Sequence, residues 1–599
     1  MGVDVGGTFT DVVAWDGQSL RVNKVPTSPE QSEGVAAGIA GLPATLLLHG
    51  TTVATNALLE GKGARTALIT TRGFEDVLEI GRQDRPSLYD SNRDRPPSLV
   101  DRSRRHGLDS VVDLHRFLDE ARPESVAIGL LDSHQDSSAE IAVAQAVEAW
   151  NPSTPVSRSS FVNPEFREYE RIATTVLNAY LRPVVSSYLH SLEDRLERRT
   201  LVMRSSGGLT STTGAAELAA SILLSGPAGG VVAAAACGAR HGWTRVISFD
   251  MGGTSTDVCR IENGQPQLGG GRSIRGYVCR FPSVAVHTIG AGGGSIGWID
   301  DGGALRVGPQ SAGAWPGPAA YGRGGTEPTV TDANLVLGRL GSSLAGDTEL
   351  EADLAHRALA ALGVKLGIRP EAVARGMIDI VNAHMEGPIR RVSVEEGADP
   401  RQAALLAFGG AGGLHATAVA RALGMAAVLV PPHPGVFSAL GLLLSPMRHD
   451  VTHSVIGVET EVLDDTIARL EDRAREEMAA VLGVETNEVS VSIDVRYRGQ
   501  SHETPVEYVR GSGRLRVDFE TAHRARNGFV TSDVELEVVT VRLAATAPAV
   551  LSWSQVRGTL DPGSELEGPR LIEGPNATIY LDEGERLIVL ADGTMEITW

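Results

Sequence analysis

The chain has 599 residues, 42 per cent apolar and 21 per cent charged, the composition of an ordinary globular protein long enough for several domains. Its 54 basic against 74 acidic residues leave a net charge of −20, which argues against nucleic acid or an anionic membrane surface as a partner. Cys237, Cys259 and Cys279 share no metal-ligand spacing and make no disulfide framework; with no secretory signal and no apolar run of membrane-spanning length, a reducing cytoplasm is expected.

The first predicted strand, Met1-Gly2-Val3, is short enough that a start a few residues upstream is expected. It leads into Asp4-Val5-Gly6-Gly7-Thr8-Phe9-Thr10-Asp11, which leaves through the apolar run Val12-Val13-Ala14-Trp15. The octapeptide recurs 246 residues later as Asp250-Met251-Gly252-Gly253-Thr254-Ser255-Thr256-Asp257, with six of eight positions identical. Val246-Ile247-Ser248-Phe249 enters the second copy and Val258-Cys259-Arg260-Ile261 leaves it; further turns follow at Asp16-Gly17-Gln18 and Glu262-Asn263-Gly264-Gln265. Each copy reads as a strand, a tight glycine turn and a returning strand. Paired glycines let a ligand reach the backbone, and their N–H groups with the Thr hydroxyls suit phosphate oxygens. Carboxylates beside phosphates need a divalent cation between them, most simply Mg²⁺. One such turn is also an ordinary hairpin; two matched copies argue for a phosphate site.

Between the copies, the strand Leu46-Leu47-Leu48-His49 runs into a helix capped by Thr51 or Thr52, with Asn56 on its first turns and free N–H groups facing outward. A strand at 66–70 precedes Arg82 and Arg85, placed where an anion clamp could form, although surface solvation is the usual fate of such residues. Residues 91–115 read as a loop, 126–131 as a strand and 139–150 as a helix. A long helix over about 165–199 carries Glu170, Thr174 and Asn178 four apart, a polar stripe aimed at solvent or, preferably, into a site. Ser225-Gly226-Pro227-Ala228-Gly229-Gly230 opens a small-residue helix suited to close packing between domains.

Downstream of the second copy, the glycine-dense stretch 286–295 implies close approach of backbone to a ligand or to another segment; its His287 is read as structural or as a ligand. A helix begins at Thr329-Val330-Thr331-Asp332-Ala333-Asn334, and another spans 371–386. Leu405-Leu406-Ala407-Phe408 then meets Gly409-Gly410-Ala411-Gly412-Gly413 and a helix, the strand, Gly-Gly-x-Gly, helix order on which a nucleoside lies against backbone. From about 451 an amphipathic helix (461–483) and short alternating strands suggest a separate β-rich module without a catalytic constellation.

The paired turns and the late Gly-Gly-x-Gly resemble the actin, sugar-kinase and heat-shock ATPase superfamily. More narrowly, the chain resembles the hydantoinase A / 5-oxoprolinase family along nearly its whole length. The stretches carrying this are 49–58, 73–76, 81–86, 168–171, 178–181, 225–230, 249–257, 288–295 and 329–340. The resemblance implies an α/β fold of duplicated actin-like (ribonuclease H-like) ATPase halves, at 1–238 with a helical insertion and at 239–450, with an additional C-terminal β-rich α+β domain at 451–599. It implies ATP-driven opening of a hydantoin or of 5-oxoproline, in which phosphorylating the carbonyl oxygen turns a resonance-stabilised amide into an imidate-like ester with a good leaving group.

Under that resemblance Asp4 and Asp250 hold hydrated Mg²⁺. The turn residues Gly6, Gly7, Thr8, Thr10, Gly252, Gly253, Thr254 and Thr256 hold phosphates, and Asp11 and Asp257 brace the turns or orient water. Gly409, Gly410 and Gly412 border the adenosine, while Thr51, Thr52, Asn56, Arg82, Glu170, His287 and Asp332 are substrate candidates. A hydantoinase B-type subunit on a separate chain is the expected partner, within an oligomer. Four departures bear on substrate identity rather than on nucleotide: Trp315 where the family often has a small or acidic residue, Ala320 where it often has cysteine, Gly387-Pro388 in a helix it should bend or end, and a shorter loop after Arg105. Two alternatives are the nucleotide-binding subunit of an ATP-dependent ketone carboxylase and a non-catalytic actin-like ATPase switch.

Overall fold

A computed structural model describes residues 1–599 apart from 8, 29, 43, 86, 88, 91, 93, 270–271, 345–347, 459–461 and 532. The first octapeptide is a hairpin. Its strand Gly2–Val5 runs antiparallel to Phe9–Trp15, and Phe9–Trp15 antiparallel to Leu20–Pro26. On its other side Gly2–Val5 lies parallel to Leu46–Gly50, which lies parallel to Arg199–Met203. The second octapeptide repeats the pattern. Arg245–Met251 sits between antiparallel Thr256–Glu262 and parallel Ala404–Phe408, with parallel Ala427–Val430 beyond. Gln265–Pro266 and His287–Ile289 supply the third strand of that meander. A meander of three strands continued by two parallel ones therefore occurs twice, the duplicated actin-like architecture. The inner parallel strands are buried on both faces and accordingly apolar almost throughout, as in Leu46–Gly50 and Ala404–Phe408, whereas the outermost meander strand Leu20–Pro26 is half-exposed and polar.

Each half carries a helix downstream of its fifth strand, and these two helices pack against each other between the sheets. These are Ser225–Arg240 and Phe437–Leu444. A Cβ on Gly441 would sit 1.9 Å from the Gly229 carbonyl oxygen, so the backbones touch where side chains would hold them apart. One hydrophobic cluster runs from Leu48 and Met203 of the first sheet through Ala233, Ala234, Leu440 and Leu443 of the helices to Leu406 and Phe408 of the second. The close packing expected of the small-residue helix is present. The insertion in the first half, expected to be helical, is built on its own all-parallel sheet, ordered Arg105–Leu108, Thr66–Thr71, Ser125–Gly129, Val156–Arg158, with helices such as Val111–Ala121 and Ser138–Trp150 connecting the strands.

The tail does not form the separate module expected of 451–599. Met447–Ser454, Glu488–Tyr497, Thr504–Glu507 and Leu536–Ala547 extend the first sheet beyond Leu209–Ser211, whereas Glu565–Glu567, Arg586–Val589 and Met595–Thr598 extend the second beyond Ala427–Val430. Each half ends in an unpaired edge, and tail strands cover both. The loop expected at 91–115 contains the strand Arg105–Leu108 and the start of the helix Val111–Ala121, whose apolar residues the mixed charges obscured. The helix Pro370–Val392 does not end at Gly387-Pro388; Met385, Ile389 and Val392 are buried on either side and their packing carries it through. Among the described residues no helix is long and apolar enough to cross a membrane.

Candidate functional site

The hairpin registers align the aspartates in two matching rows. In the first, Asp4 pairs with Asp11, Asp11 with Lys24, and Asp4 with Gly50 on the parallel side. In the second, Asp250 pairs with Asp257, Asp257 with Thr288, and Asp250 with Phe408, the residue before Gly409. The turns match as well: Gly6 N–H donates to the Phe9 carbonyl and Gly252 N–H to the Ser255 carbonyl, each at 3.0 Å. Both inner aspartates press on a glycine at the end of the neighbouring strand. A Cβ on Gly50 would lie 2.5 Å from Asp4 Oδ1, and one on Gly409 2.4 Å from Asp250 Oδ1.

The two rows share one cleft. The Asp250 carboxyl is pushed up to about 8, first by burial, then by Asp257 and by Asp4 and Asp11 of the other half, with Lys24 opposing. Burial and the Asp11 charge push Asp4 up to about 7, again against Lys24. Burial raises Asp11, which Lys24 counters, and pushes Asp257 up to about 6 against a hydrogen bond from Thr288. Lys24 ties the rows together directly, its ammonium donating both to Asp11 of the first row and to the Gly435 carbonyl of the second half. Four part-buried carboxylates beside one ammonium leave a deficit of positive charge, which a divalent cation would fill. The fit is to a hydrated ion. Among the described residues the only three His, Cys, Asp or Glu ligand atoms within 4.8 Å of one another belong to Asp132, His134 and Glu168, so the aspartates do not form a closed cage, and Mg²⁺ characteristically keeps several waters. The trio itself already faces a cation: the Arg171 guanidinium bonds Glu168, and its Nη1 lies 3.4 Å from His134 Nδ1.

Of the expected phosphate ligands, Gly7, Gly253 and Thr254 are exposed at the turn tips, while Thr8 lies outside the described residues. Thr10 and Thr256 are fully buried, so their hydroxyls offer no phosphate contact. Alternation along the strand turns them away from the aspartates: Thr10 meets Thr27 Oγ1 at 3.4 Å and Thr256 donates to the Ala291 carbonyl at 2.6 Å. The glycine-dense stretch braces the second turn, with Gly293 N–H donating to the Gly252 carbonyl at 3.0 Å and Gly294 N–H to that of Gly253 at 2.7 Å. Gly410 is exposed beside the tight Gly409, whereas Gly412 is buried and opens the helix Gly412–Ala422.

The substrate candidates do not converge. Thr51 is buried and accepts from Val53 N–H; Thr52 accepts from Asn56 Nδ2 at 3.3 Å. Arg82 is committed to Glu170 through two bonds of 2.8 Å, and its guanidinium is held above its ordinary pKa first by that hydrogen-bonding. Thr174 and Asn178 of the presumed stripe are buried and tie the helix to Arg280, Ser157, Glu217 and Ala220. His287 stands 3.3 Å from Arg391 Nη1 at the edge of the second meander. Asp332 is no substrate group: fully buried, it accepts from Ala319, Ala320 and Thr329 N–H and from the Thr329 hydroxyl, a capping box that fixes the helix Val330–Val336. Sequence reasoning missed Lys24, Thr288 and Gly50. Lys24 was accessible in principle, since a turn at 16–19 that pairs Trp15 with Leu20 also pairs Asp11 with Lys24.

Residues 171–451 match the hydantoinase/oxoprolinase family and residues 1–150 the hydantoinase/oxoprolinase N-terminal region. The chain is 34% identical to the caprolactamase subunit alpha of Pseudomonas jessenii, over 100% of this chain and 99% of that one. The crystal structure of the ATP-dependent caprolactamase from that organism superposes with a TM-score of 0.86 at 31% identity, covering 100% of this chain and 99% of the other. The 5-oxoprolinase of Saccharomyces cerevisiae is 30% identical over 91% of this chain and 49% of its own length. A nucleotide-free acetone carboxylase shares the fold, with a TM-score of 0.78 at 23% identity over 100% of this chain and 99% of that one.

Proposed function

Because the chain belongs to the hydantoinase/oxoprolinase family, we propose that it is the nucleotide-hydrolysing subunit of an ATP-dependent cyclic amide hydrolase. The observation that carries this is the pair of matched aspartate hairpins, joined across the lobes by Lys24, which donates to Asp11 of one lobe and to the Gly435 carbonyl of the other. The triphosphate lies between the turn tips at Gly7 and at Gly253-Thr254, where exposed backbone and a hydroxyl meet its oxygens. Asp4 and Asp250 would hold Mg²⁺, and the ion would offset the phosphate charge against the carboxylates. Gly410 and the backbone around it border the adenosine, with Gly409 keeping that loop tight against Asp250.

A lactam resists hydrolysis because its nitrogen lone pair is shared with the carbonyl. Transfer of the γ-phosphoryl group to the carbonyl oxygen, with ADP leaving and the amide proton released, removes that protection. Water then adds to the ring carbon, the C–N bond breaks as the protonated nitrogen leaves, and a second water hydrolyses the resulting acyl phosphate to the open-chain amino acid and inorganic phosphate. This chain's share of that chemistry is positioning and charge, the dominant contributions to phosphoryl transfer. Asp11 and Asp257, one strand out from the magnesium-side pair, brace the turns; Asp257 is fixed by Thr288 and Asp11 by Lys24. Completion of ring hydrolysis falls to a hydantoinase B-type subunit on another chain, as the designation of the Pseudomonas relative as a subunit alpha suggests. Three buried cysteines with no disulfide among them suit a cytoplasmic assembly.

The deciding assay is Mg·ATP turnover by the full chain with its B-type partner across 5-oxoproline, hydantoin and caprolactam. One of these lactams is expected to raise turnover. A rise confined to acetone with bicarbonate would assign the chain to ketone carboxylation instead, and turnover indifferent to every compound would make it an ATPase switch.

A further inference from the structure

The third strand of each meander places one residue beside the outer aspartate, and here the halves differ. Thr288 stands beside Asp257, and Lys24 beside Asp11. Lys24 also reaches the other lobe. Its Nζ donates to Asp11 Oδ1 at 2.5 Å and to the Gly435 carbonyl, 411 residues away, at 2.9 Å. The carbonyl of the preceding Pro434 accepts from Gly409 N–H at 2.9 Å, and Gly409 abuts Asp250. A continuous line therefore runs from Asp11 through Lys24, Gly435, Pro434 and Gly409 to Asp250, joining the outer aspartate of one row to the inner aspartate of the other. The Lys24 side chain is 14% exposed and its Nζ lies 5.0 Å from the centroid of the Phe9 ring, so the ammonium is confined where it is.

Resting on the nucleotide reading above, we propose that Lys24 is a positioning residue that sets the separation of the two phosphate turns, holding Asp11 in one orientation and tying it to Gly435 of the second lobe, beside the turn that braces Gly409. With a neutral side chain in its place, Asp11 and the Gly435 carbonyl lose a shared donor and the lobes sample wider separations. The backbone contacts to phosphate on either lobe persist, while the approach of the γ-phosphoryl group to its acceptor loosens. Misplacement on the order of 1 Å lowers turnover by about 10²-fold without an equal effect on binding.

The test compares wild type, Lys24→Met and Lys24→Arg, each with the B-type partner, by calorimetric Mg·ATP affinity and by steady-state turnover on whichever lactam stimulates the wild type. Lys24→Met is expected to lower kcat by about 10²-fold with Kd for Mg·ATP within about threefold of wild type, the split that marks loss of an interaction made in the transition state. Lys24→Arg, which can still donate to both oxygens, is expected to recover at least about tenfold of the lost turnover. Should Lys24→Met fail to fold, Lys24→Gln against Lys24→Arg makes the same comparison. Weakened Mg·ATP binding with kcat intact would make Lys24 a phosphate ligand and overturn the proposal, as would a Lys24→Met enzyme equal to wild type in both quantities. A wild type that binds no Mg·ATP would overturn the nucleotide reading as well, which separates the two failures.

Discussion

Replacing Gly409 with alanine tests how tightly the second row must be built. Gly409 has φ of +80°, a region where a side chain costs about 1–2 kcal/mol. The new Cβ would also lie 2.4 Å from Asp250 Oδ1 and 2.5 Å from the Met251 carbonyl oxygen. The carboxylate can rotate away, but it then leaves the position that faces Asp4. The Met251 carbonyl cannot, because it accepts from Ala411 N–H at 3.0 Å and belongs to the strand. Overpacking of that kind costs about 1–3 kcal/mol, so the whole penalty is about 2–5 kcal/mol. Gly410→Ala is the control: nothing lies within 4 Å of its Cβ, and the expected change is below about 0.5 kcal/mol. Denaturant melts without nucleotide and calorimetry with Mg·ATP read both effects. Gly409→Ala should lose stability and Mg·ATP affinity together, and Gly410→Ala should keep its stability. Equal midpoints and equal affinities for the two variants would refute the argument that Gly409 fixes Asp250.

Two further outcomes are expected. Folding raises Asp4 to about 7 and Asp250 to about 8, against 3.8 ordinarily, so the folded chain holds protons that the unfolded chain releases. Their contribution to stability is therefore complete below the ordinary carboxylate range and is lost as pH rises through the folded values. In chelator, wild type should lose more stability between about pH 6 and pH 8.5 than Asp250→Asn does, and identical pH slopes in the two proteins would contradict this. Asp332→Ala strips the shared acceptor from three backbone N–H groups and a hydroxyl in a buried capping box. It should cost about 2–4 kcal/mol in a denaturant melt and leave the KM for a stimulating lactam unchanged; a KM effect without a stability effect would return Asp332 to the substrate site.

The nucleotide side of the site was legible because it is written twice in short, local stretches. The register of a hairpin follows from its turn, so Asp4 beside Asp11 and Asp250 beside Asp257 could be read directly, and the paired glycines announced the turns. The same register misled at Thr10 and Thr256: they share the octapeptide with the aspartates, but strand alternation sends them into the core. Thr288 and Gly50 stayed hidden because each reaches its aspartate from a strand distant in sequence. Arg82 and Glu170 looked like two site residues because nothing in their spacing of 88 reveals that they satisfy each other. Several of the tail's strands were legible, but Met447–Ser454 and Met595–Thr598, through which the tail joins the two sheets, were not, since pairing with Leu209 and with Ala427–Val430 more than a hundred residues away leaves no trace in hydrophobic period.

The sharing of the tail between the sheets has a consequence for how the chain is made. Ala427–Val430 finds its outer neighbour only in Met595–Thr598, and the intervening chain must first cross to the other lobe and lay down the strands from Met447–Ser454 to Leu536–Ala547. During synthesis the first lobe can finish its sheet while the second still shows a bare strand to its surroundings, so the nascent protein stays open to wrong pairing there until Met595–Thr598 has left the ribosome. A nick between the two runs of tail strands would leave the second sheet's border held by noncovalent pairing alone.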